Sequence, residues 1–244
     1  MEDAKKPLKK IIISNIVILG MVSLFTDIST EMIYPILPIY LTAILGASPA
    51  IIGIIEGIAE SLASILKLFS GIIADKYNNK KQLTFIGYGS SILNKIIILF
   101  SVSWAGVLVA RIVDRFGKGI RTAPRDALIA ESAEENKLGK AYGLHKTLDL
   151  LGASIGILLA FFLMTFSSDN YKLLFVVSII PAVIGTFFII FVKDKRIKKE
   201  VKKLNFKWKE LDKRLKLFLI IIFIFTLRKF IKCFYLAPSQ CSRI

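Results

Sequence analysis

Residues 171–225 read YKLLFVVSIIPAVIGTFFIIFVKDKRIKKEVKKLNFKWKELDKRLKLFLIIIFIF. Twenty uncharged residues, 173–192, are followed by a stretch, 193–216, that holds twelve Lys or Arg against four Asp or Glu, and then by a second apolar run. A helix rises about 1.5 Å per residue, so about 20 apolar residues cross the hydrocarbon of a bilayer. Apolar and basic blocks that alternate at this length are the signature of a multi-span membrane chain.

The pattern extends over the whole sequence. Hydrophobic residues make up 55% of the 244, and the net charge is +16. Soluble domains reach only about 45–50% even with glycine counted in, so an ordinary soluble globule is excluded. Disorder is excluded by the same figure. Apolar stretches of spanning length occupy 11–44, 50–74, 83–101, 104–123, 141–165, 171–192 and 215–236. No strand-type alternation is present, which argues against a membrane β-barrel. The first stretch is too long, and lacks the small-residue cleavage site, for a removable signal peptide.

Basic residues set the expected orientation. Lys5, Lys6, Lys9 and Lys10 precede the first span; Lys76, Lys80 and Lys81 follow the second; Arg121, Arg125, Lys137 and Lys140 follow the fourth. The connections near 45–49 and 101–104 carry none, and the one near 166–172 carries only Lys172. Positive charge stays inside, so the N-terminus is expected in the cytoplasm of a cell-membrane protein. The excess charge is then a topology signal, and no nucleic acid partner is expected, because the basic residues lack interleaved aromatics. Asp27, Glu31, Pro35 and Pro38 interrupt the first stretch, which is expected to be one long helix bent at its outer end by the prolines. The division that follows is a cytoplasmic N-terminus at 1–10, a six-span bundle at 11–192, a basic cytoplasmic linker at 193–214 and a partial seventh span at 215–244. The segment 124–140 is expected to be a polar connection. Cys233 and Cys241 lie in the last stretch and define no redox compartment.

Ionisable residues at membrane depth are costly and mark function. Asp27 and Glu31 share one face of the first span. Glu56, Glu60 and Lys67 share a stripe on the second. The third carries Asn94 and Lys95; the fourth Arg111, Asp114, Arg115 and Lys118; the fifth His145, Lys146 and Asp149. Helical rise places Arg111, Asp114, Glu60 and Asp149 near the midplane, where secondary transporters bind solute and coupling ions. Asp27, Glu31, Glu56, Glu60, Arg111, Asp114, Arg115, Lys146 and Asp149 are therefore the candidate transport and proton-coupling residues. Structural ion pairing is the competing reading for each alone. His145 is expected to be structural. No metal cluster, nucleophile–base pair or nucleotide loop is visible, so no cofactor and no enzyme activity are expected.

An internal echo adds a topological hint. GIIEGIAESLAS at 53–64 and GLHKTLDLLGAS at 143–154 place glycine, ionisable residues and a small-residue patch at similar intervals. An inverted three-plus-three repeat relates the second and fifth spans of a six-span bundle in this way.

GIIADKYNNKK at 71–81 resembles the signature between the second and third helices of the major facilitator superfamily: Gly71, Ala74, Asp75, Lys76 and Lys80 match, while Asn78 and Asn79 stand where that signature has Gly and Arg. In ARIVDRFGKGIRTAPRDALIAES at 110–132, Arg111 matches the superfamily's membrane-embedded arginine. FGKGIRTAPRDALIA and AYGLHKTLDLLGASIG resemble a bacterial and archaeal permease subgroup. The resemblance covers residues 10–227. It implies an all-α integral membrane fold, a six-helix N-terminal bundle of two inverted three-helix repeats with a partial seventh helix. It also implies that Gly71, Asp75, Lys76 and Lys80 belong to a cytoplasmic gating motif, and that Arg111 takes part in proton transfer.

The function expected from this reading is secondary active transport by alternating access, with proton-coupled export of a small organic solute or drug. Uptake of a small metabolite is the alternative, and a transport-inactive scaffold or truncated gene remnant is the reading from another class. The expected partners are a small-molecule solute, H+, the lipid bilayer and a C-terminal half encoded separately downstream. That last expectation comes from the tail. After IIIFIFTL, residues 228–234 read RKFIKCF, three basic residues within five positions of an apolar run. The codons AGG AAA TTC ATC AAA TGC TTT encode this heptapeptide, and read from their second base they give Gly-Asn-Ser-Ser-Asn-Ala-Phe, a run like that of the resembled subgroup. A single inserted base after the codon for Leu227 would produce the observed tail.

Overall fold

The computed structural model describes residues 5–77, 79–167 and 170–193, with isolated positions at 212, 216, 217 and 221. The described residues of the unit spanning Met1–Lys199 are helical, with no strand among them. In chain order the helices are α1 (Lys5–Ile33), α2 (Leu37–Ala43), α3 (Pro49–Tyr77), α4 (Lys80–Phe100), α5 (Trp104–Ser132), α6 (Leu138–Phe166) and α7 (Tyr171–Phe188). Short 3₁₀ turns at Glu135–Lys137 and Ile189–Phe191 complete the set.

α1 and α2 act as one span, Asn15–Ala43, broken by a turn at residues 34–36. Pro35 lies in that turn, and Pro38 sits in the first turn of α2, where a missing N–H leaves no helical bond unmade. Among the described residues, four further helices are long and apolar enough to cross a membrane: Pro49–Gly71, Lys80–Phe100, Leu138–Phe166 and Tyr171–Phe191.

α5 reaches spanning length but is too charged to stand alone in lipid. It buries its charged stripe instead: Arg111, Asp114, Arg115 and Arg121 are all less than one-tenth exposed, packed against α3 and α4. The expected polar connection at 124–140 is therefore corrected. The helix runs straight through Pro124 to Ser132, and Arg121 and Arg125 belong to it rather than to a solvated loop. Polar residues packed against neighbouring helices find partners there, so they need no water.

The packing is that of a repeat. α1 contacts α6 and α7, while α5 contacts α3 and α4; α1 also touches α5, and α4 touches α7. Exchanging the triplet α1, α3, α4 for α5, α6, α7 leaves this set of neighbours unchanged. Successive spans alternate in direction, so the two triplets run oppositely, and the bundle is an inverted three-plus-three repeat. Small residues form its closest seams. A Cβ added to Gly152 would lie 2.9 Å from Cα of Leu24, and one added to Gly156 would lie 3.1 Å from Cα of Ile28, so α6 meets the backbone of α1. The symmetry-related seam puts Gly119 of α5 against the Ala63 carbonyl of α3, at 3.0 Å.

The apolar core gathers Ile28, Met32, Leu37, Ile55, Ile98, Val107 and Phe175 at the end of the bundle near α2. Ile54, Ile58, Phe69, Leu158, Phe161 and Phe162 point outward, as side chains facing hydrocarbon do. The expected linker at 193–214 and seventh span at 215–244, with Cys233 and Cys241, lie outside the described residues apart from the isolated positions.

Candidate functional site

Two charge clusters occupy the bundle, and α5 contributes to both. The first joins α5 to α3. Arg111 Nη2 donates to Glu56 Oε2 at 2.5 Å, and Arg111 Nη1 lies 3.8 Å from Asp114 Oδ2. One turn on, Arg115 Nε lies 3.4 Å from Glu60 Oε2, and its Nη2 lies 4.0 Å from Glu56 Oε2. The Tyr34 ring from the α1–α2 break covers both guanidinium groups, at 5.1 Å from Arg111 and 5.8 Å from Arg115. Helical spacing explains the pattern. Positions 56 and 60 on α3 face positions 111 and 115 on α5, so each turn supplies one acid–base pair.

Behind this cluster lies Lys95 of α4, fully buried, which donates to the Ser91 carbonyl at 3.1 Å and to Ser91 Oγ at 2.9 Å. Lys95 and Asp114 are both buried, on the packed helices α4 and α5. The buried Asp114 is thus balanced by α4 as well as by its own helix. A buried charge left unbalanced would cost several kcal/mol.

The second cluster lines a cavity of about 480 Å³. Asp27 and Glu31 come from α1, Glu60 and Lys67 from α3, Lys118, Arg121 and Arg125 from α5, and Lys146 and Asp149 from α6. Several are already engaged. Arg121 stacks on Tyr88 at 4.3 Å and donates to the Gly87 carbonyl at 3.2 Å. Arg125 pairs with Asp126 at 2.9 Å. Asp149 accepts from Ser23 Oγ at 2.7 Å through Oδ1 and from Lys146 Nζ at 2.6 Å through Oδ2. Asp27 and Asp149 line the same wall of the cavity. Lys67 and Lys118 make no ion pair among the described residues, so the wall offers free cationic and anionic groups together.

The residues singled out from sequence therefore separate into two places. Glu56, Arg111, Asp114 and Arg115 form the interhelical cluster. Asp27, Glu31, Lys146 and Asp149 face the cavity, and Glu60 takes part in both. The gating motif is divided as well. Gly71 packs toward Ala123, and Lys80 forms an ion pair with Glu131 at the far end of α5. The side chains of Asp75 and Lys76, in the last turns of α3, lie outside the described residues. His145 is buried and lines no part of the cavity. Sequence reasoning missed Tyr34, Ser23, Glu131 and the inward role of Arg121. The signal for Arg121 was present: it lies ten residues after Arg111, close to three helical turns, and so on the same stripe. No group of three or more potential metal ligands occurs among the described residues.

The sequence pattern of the Major Facilitator Superfamily matches residues 19–239. The chain belongs to this superfamily. It is 37% identical over 231 residues to an uncharacterized MFS-type transporter, MJ1317, of Methanocaldococcus jannaschii, a match covering 93% of this chain and 56% of that protein. It is 27% identical to the multidrug resistance protein MdtH of Blochmanniella pennsylvanica, covering 68% of this chain and 40% of MdtH. A probable 4-methylmuconolactone transporter of Cupriavidus pinatubonensis is also 27% identical, with 63% and 36% covered. Among solved structures, a POT family transporter in complex with 5-aminolevulinic acid superposes with a TM-score of 0.66 at 17% identity, over 93% of this chain and 49% of that one. That likeness is one of fold. The chain spans about half the length of MJ1317, or less of the other relatives, and corresponds to the N-terminal half of a superfamily permease.

Proposed function

We propose that this superfamily bundle is the N-terminal half of a secondary transporter of the cell membrane, working by alternating access, that exports a small organic solute in exchange for protons. The observation that carries the reading is the cavity, where α1, α3, α5 and α6 all present ionisable side chains. A bundle that served only as a scaffold would gain nothing from such groups at membrane depth, since each is costly there. Carboxyl groups beside basic ones in a low dielectric change protonation as their partners move, which suits proton coupling. Export is favoured over uptake because MdtH is named for multidrug resistance. Uptake of a small metabolite is the second reading, and the probable 4-methylmuconolactone transporter supports a small metabolite as the solute. The basic connections support a cytoplasmic N-terminus and a cytoplasmic Lys80–Glu131 end by the positive-inside rule. There Gly71, Asp75, Lys76 and Lys80 would serve as the gating motif.

Alternating access needs two bundles that rock against each other around one site. The experiment is solute flux in proteoliposomes with and without a pH gradient, using the 244-residue chain alone and the chain co-reconstituted with the second half of MJ1317. The expected result is flux only in the paired preparation, driven by the gradient. Flux by the chain alone would overturn the half-transporter reading. Gradient-independent flux in the paired preparation would overturn proton coupling, and no flux in either would overturn the transport assignment.

A further inference from the structure

α4 and α7 pack against each other, and at one end they part around a cleft of about 930 Å³. The span of α4 begins there, at Lys80, and that of α7 ends there, at Phe191, so the cleft lies where hydrocarbon gives way to headgroups. Its floor is apolar. Phe85 and Ile86 come from α4, and Ile190 and Phe191 from the 3₁₀ turn after α7; all four are exposed. The turn sorts its residues: Ile189 and Val192 are buried in the bundle, while Ile190 and Phe191 between them face out. The cleft shares no residue with the charged cavity.

The mouth of the cleft is basic. Lys81 and Lys193 stand there with the amides of Asn79 and Gln82, and no acidic residue lines it among the described residues. The fold holds both lysines in place. Lys81 Nζ donates to the Ile190 carbonyl at 2.8 Å, which fixes its charge between α4 and the end of α7. Lys193 is fixed through its backbone. Asn15 of α1, buried, donates to the Lys193 carbonyl at 2.8 Å and accepts from the Lys193 N–H at 3.0 Å. An amide that makes both bonds to one residue sets the direction in which the chain leaves the bundle. The Lys193 side chain is exposed and makes no ion pair among the described residues. A lysine that merely reaches from a span end to water needs no such clamp.

We propose that this cleft binds one anionic glycerophospholipid, with its headgroup phosphate at Lys81 and Lys193 and an acyl chain along Phe85, Ile86 and Phe191. Charge and shape together choose the occupant. Two cations with no acid beside them favour an anion, and basic pockets between spans take anionic headgroups in this way. A soluble phosphate gains nothing from the four apolar residues below the lysines, whereas a lipid chain covers them. The bound lipid bridges the start of α4 and the end of α7. Its site depends on the membrane spans alone and not on the transport reading.

The test is lipid quenching of a label in the cleft. The full chain with Ile86→Cys, Cys233→Ser and Cys241→Ser carries a bimane fluorophore in phosphatidylcholine nanodiscs. Phosphatidylglycerol with brominated chains is compared with brominated phosphatidylcholine at matched fractions. A lysine beside an anionic lipid is worth a factor of about five, so phosphatidylglycerol should quench at a mole fraction lower by roughly tenfold or more. Lys193→Gln should remove about fivefold of that preference, and it leaves the Asn15 clamp on the backbone intact. Lys81→Gln should remove as much, and Lys172→Gln at the opposite end of α7 should remove none. Equal quenching by the two lipids, or a preference that survives Lys193→Gln, would overturn the site. The same preference at a Leu158→Cys label on the outer face of α6 would overturn it too, as general attraction to the chain. Displacement by millimolar glycerol phosphate, the headgroup without chains, would overturn the lipid in favour of a soluble anion. A label shielded from both lipids would show that the chain's own residues fill the cleft, and the proposal would fall. None of these outcomes bears on solute flux.

Discussion

Arg111 of α5 and Glu56 of α3 are joined at 2.5 Å, with Asp114 3.8 Å away on the other arm of the guanidinium. The arginine is 4% exposed and the glutamate 34%, so the pair spans from the packed interior toward the open side of α3. Removing one member of a buried pair leaves the other charge unpaired and costs about 3–5 kcal/mol. Arg111→Ala should therefore abolish gradient-driven flux in the paired preparation and lower the chain's thermal midpoint, with membrane insertion intact. Arg111→Lys should recover only part of either, since an ammonium cannot hold Glu56 and Asp114 in one planar fork. Flux assays and thermal unfolding in detergent check both. Normal flux by the alanine variant would remove this cluster from the transport mechanism.

Lys80 and Glu131 form the corresponding tie at the opposite end of α5, with side chains 7% and 15% exposed. The expected consequence is charge-order independence. Lys80→Glu alone should destabilise the chain by roughly 2–4 kcal/mol through repulsion and a buried unpaired charge. The swap of Lys80→Glu with Glu131→Lys should restore most of that loss, because the ends of α4 and α5 stay in register. A double-mutant cycle on thermal unfolding measures the coupling. A swap as damaging as the single change would show that Lys80 acts through a residue other than Glu131.

How far the sequence foretold this arrangement depends on which force decides each part. The six spans were legible, because hydrocarbon thickness dictates run length even where Asp27 and Glu31 or the charges of α5 interrupt a run. The break at Tyr34–Ile36 was legible from Pro35 and Pro38. The end of α5 was not. Arg121, Pro124, Arg125 and Asp126 look like a solvated loop to any measure of local polarity, and only packing against α3, α4 and α6 keeps them helical. Cross-helix partners were equally hidden. Spacing showed that Glu56 and Glu60 share a face and that Arg111 and Arg115 share another, but the register between the two helices is set by Gly119 against Ala63. The hydrogen bond from Ser23 to Asp149 depends in the same way on the Gly152 and Gly156 seam.

The three acids Asp27, Glu31 and Glu60 differ in surroundings, and their amide variants should differ accordingly. Glu60 is 63% exposed on its side chain and pairs with Arg115. Its replacement by Gln should change the pH profile of flux least, since an exposed, screened pair contributes little. Asp27 lies on the α1–α6 seam, between the backbone contacts of Gly152 and Gly156, so Asp27→Asn should flatten the pH dependence of flux most. Glu31→Gln should fall between, because Glu31 lines the cavity without an ion pair among the described residues. Flux measured across a pH series for the three variants tests the order. If all three keep the wild-type profile, proton coupling resides elsewhere in the full transporter.

Glycine substitutions separate seam from surface without touching any charge. At Gly152 a Cβ would sit 2.9 Å from Cα of Leu24, and no side chain lies between that could yield. At Gly53 on α3 a Cβ meets nothing within 4 Å. Both positions are helical, so alanine gains the same intrinsic preference at each, up to about 1 kcal/mol. Gly53→Ala should therefore leave the thermal midpoint unchanged or raise it slightly. Gly152→Ala must displace α6 from α1, and overpacking of that kind costs about 1–3 kcal/mol. The displacement should also strain the Ser23–Asp149 hydrogen bond across the seam, so flux in the paired preparation should fall in Gly152→Ala and hold in Gly53→Ala. Thermal unfolding and flux on the same two variants decide the matter. A Gly152→Ala chain as stable as Gly53→Ala would show that α1 and α6 can part without cost.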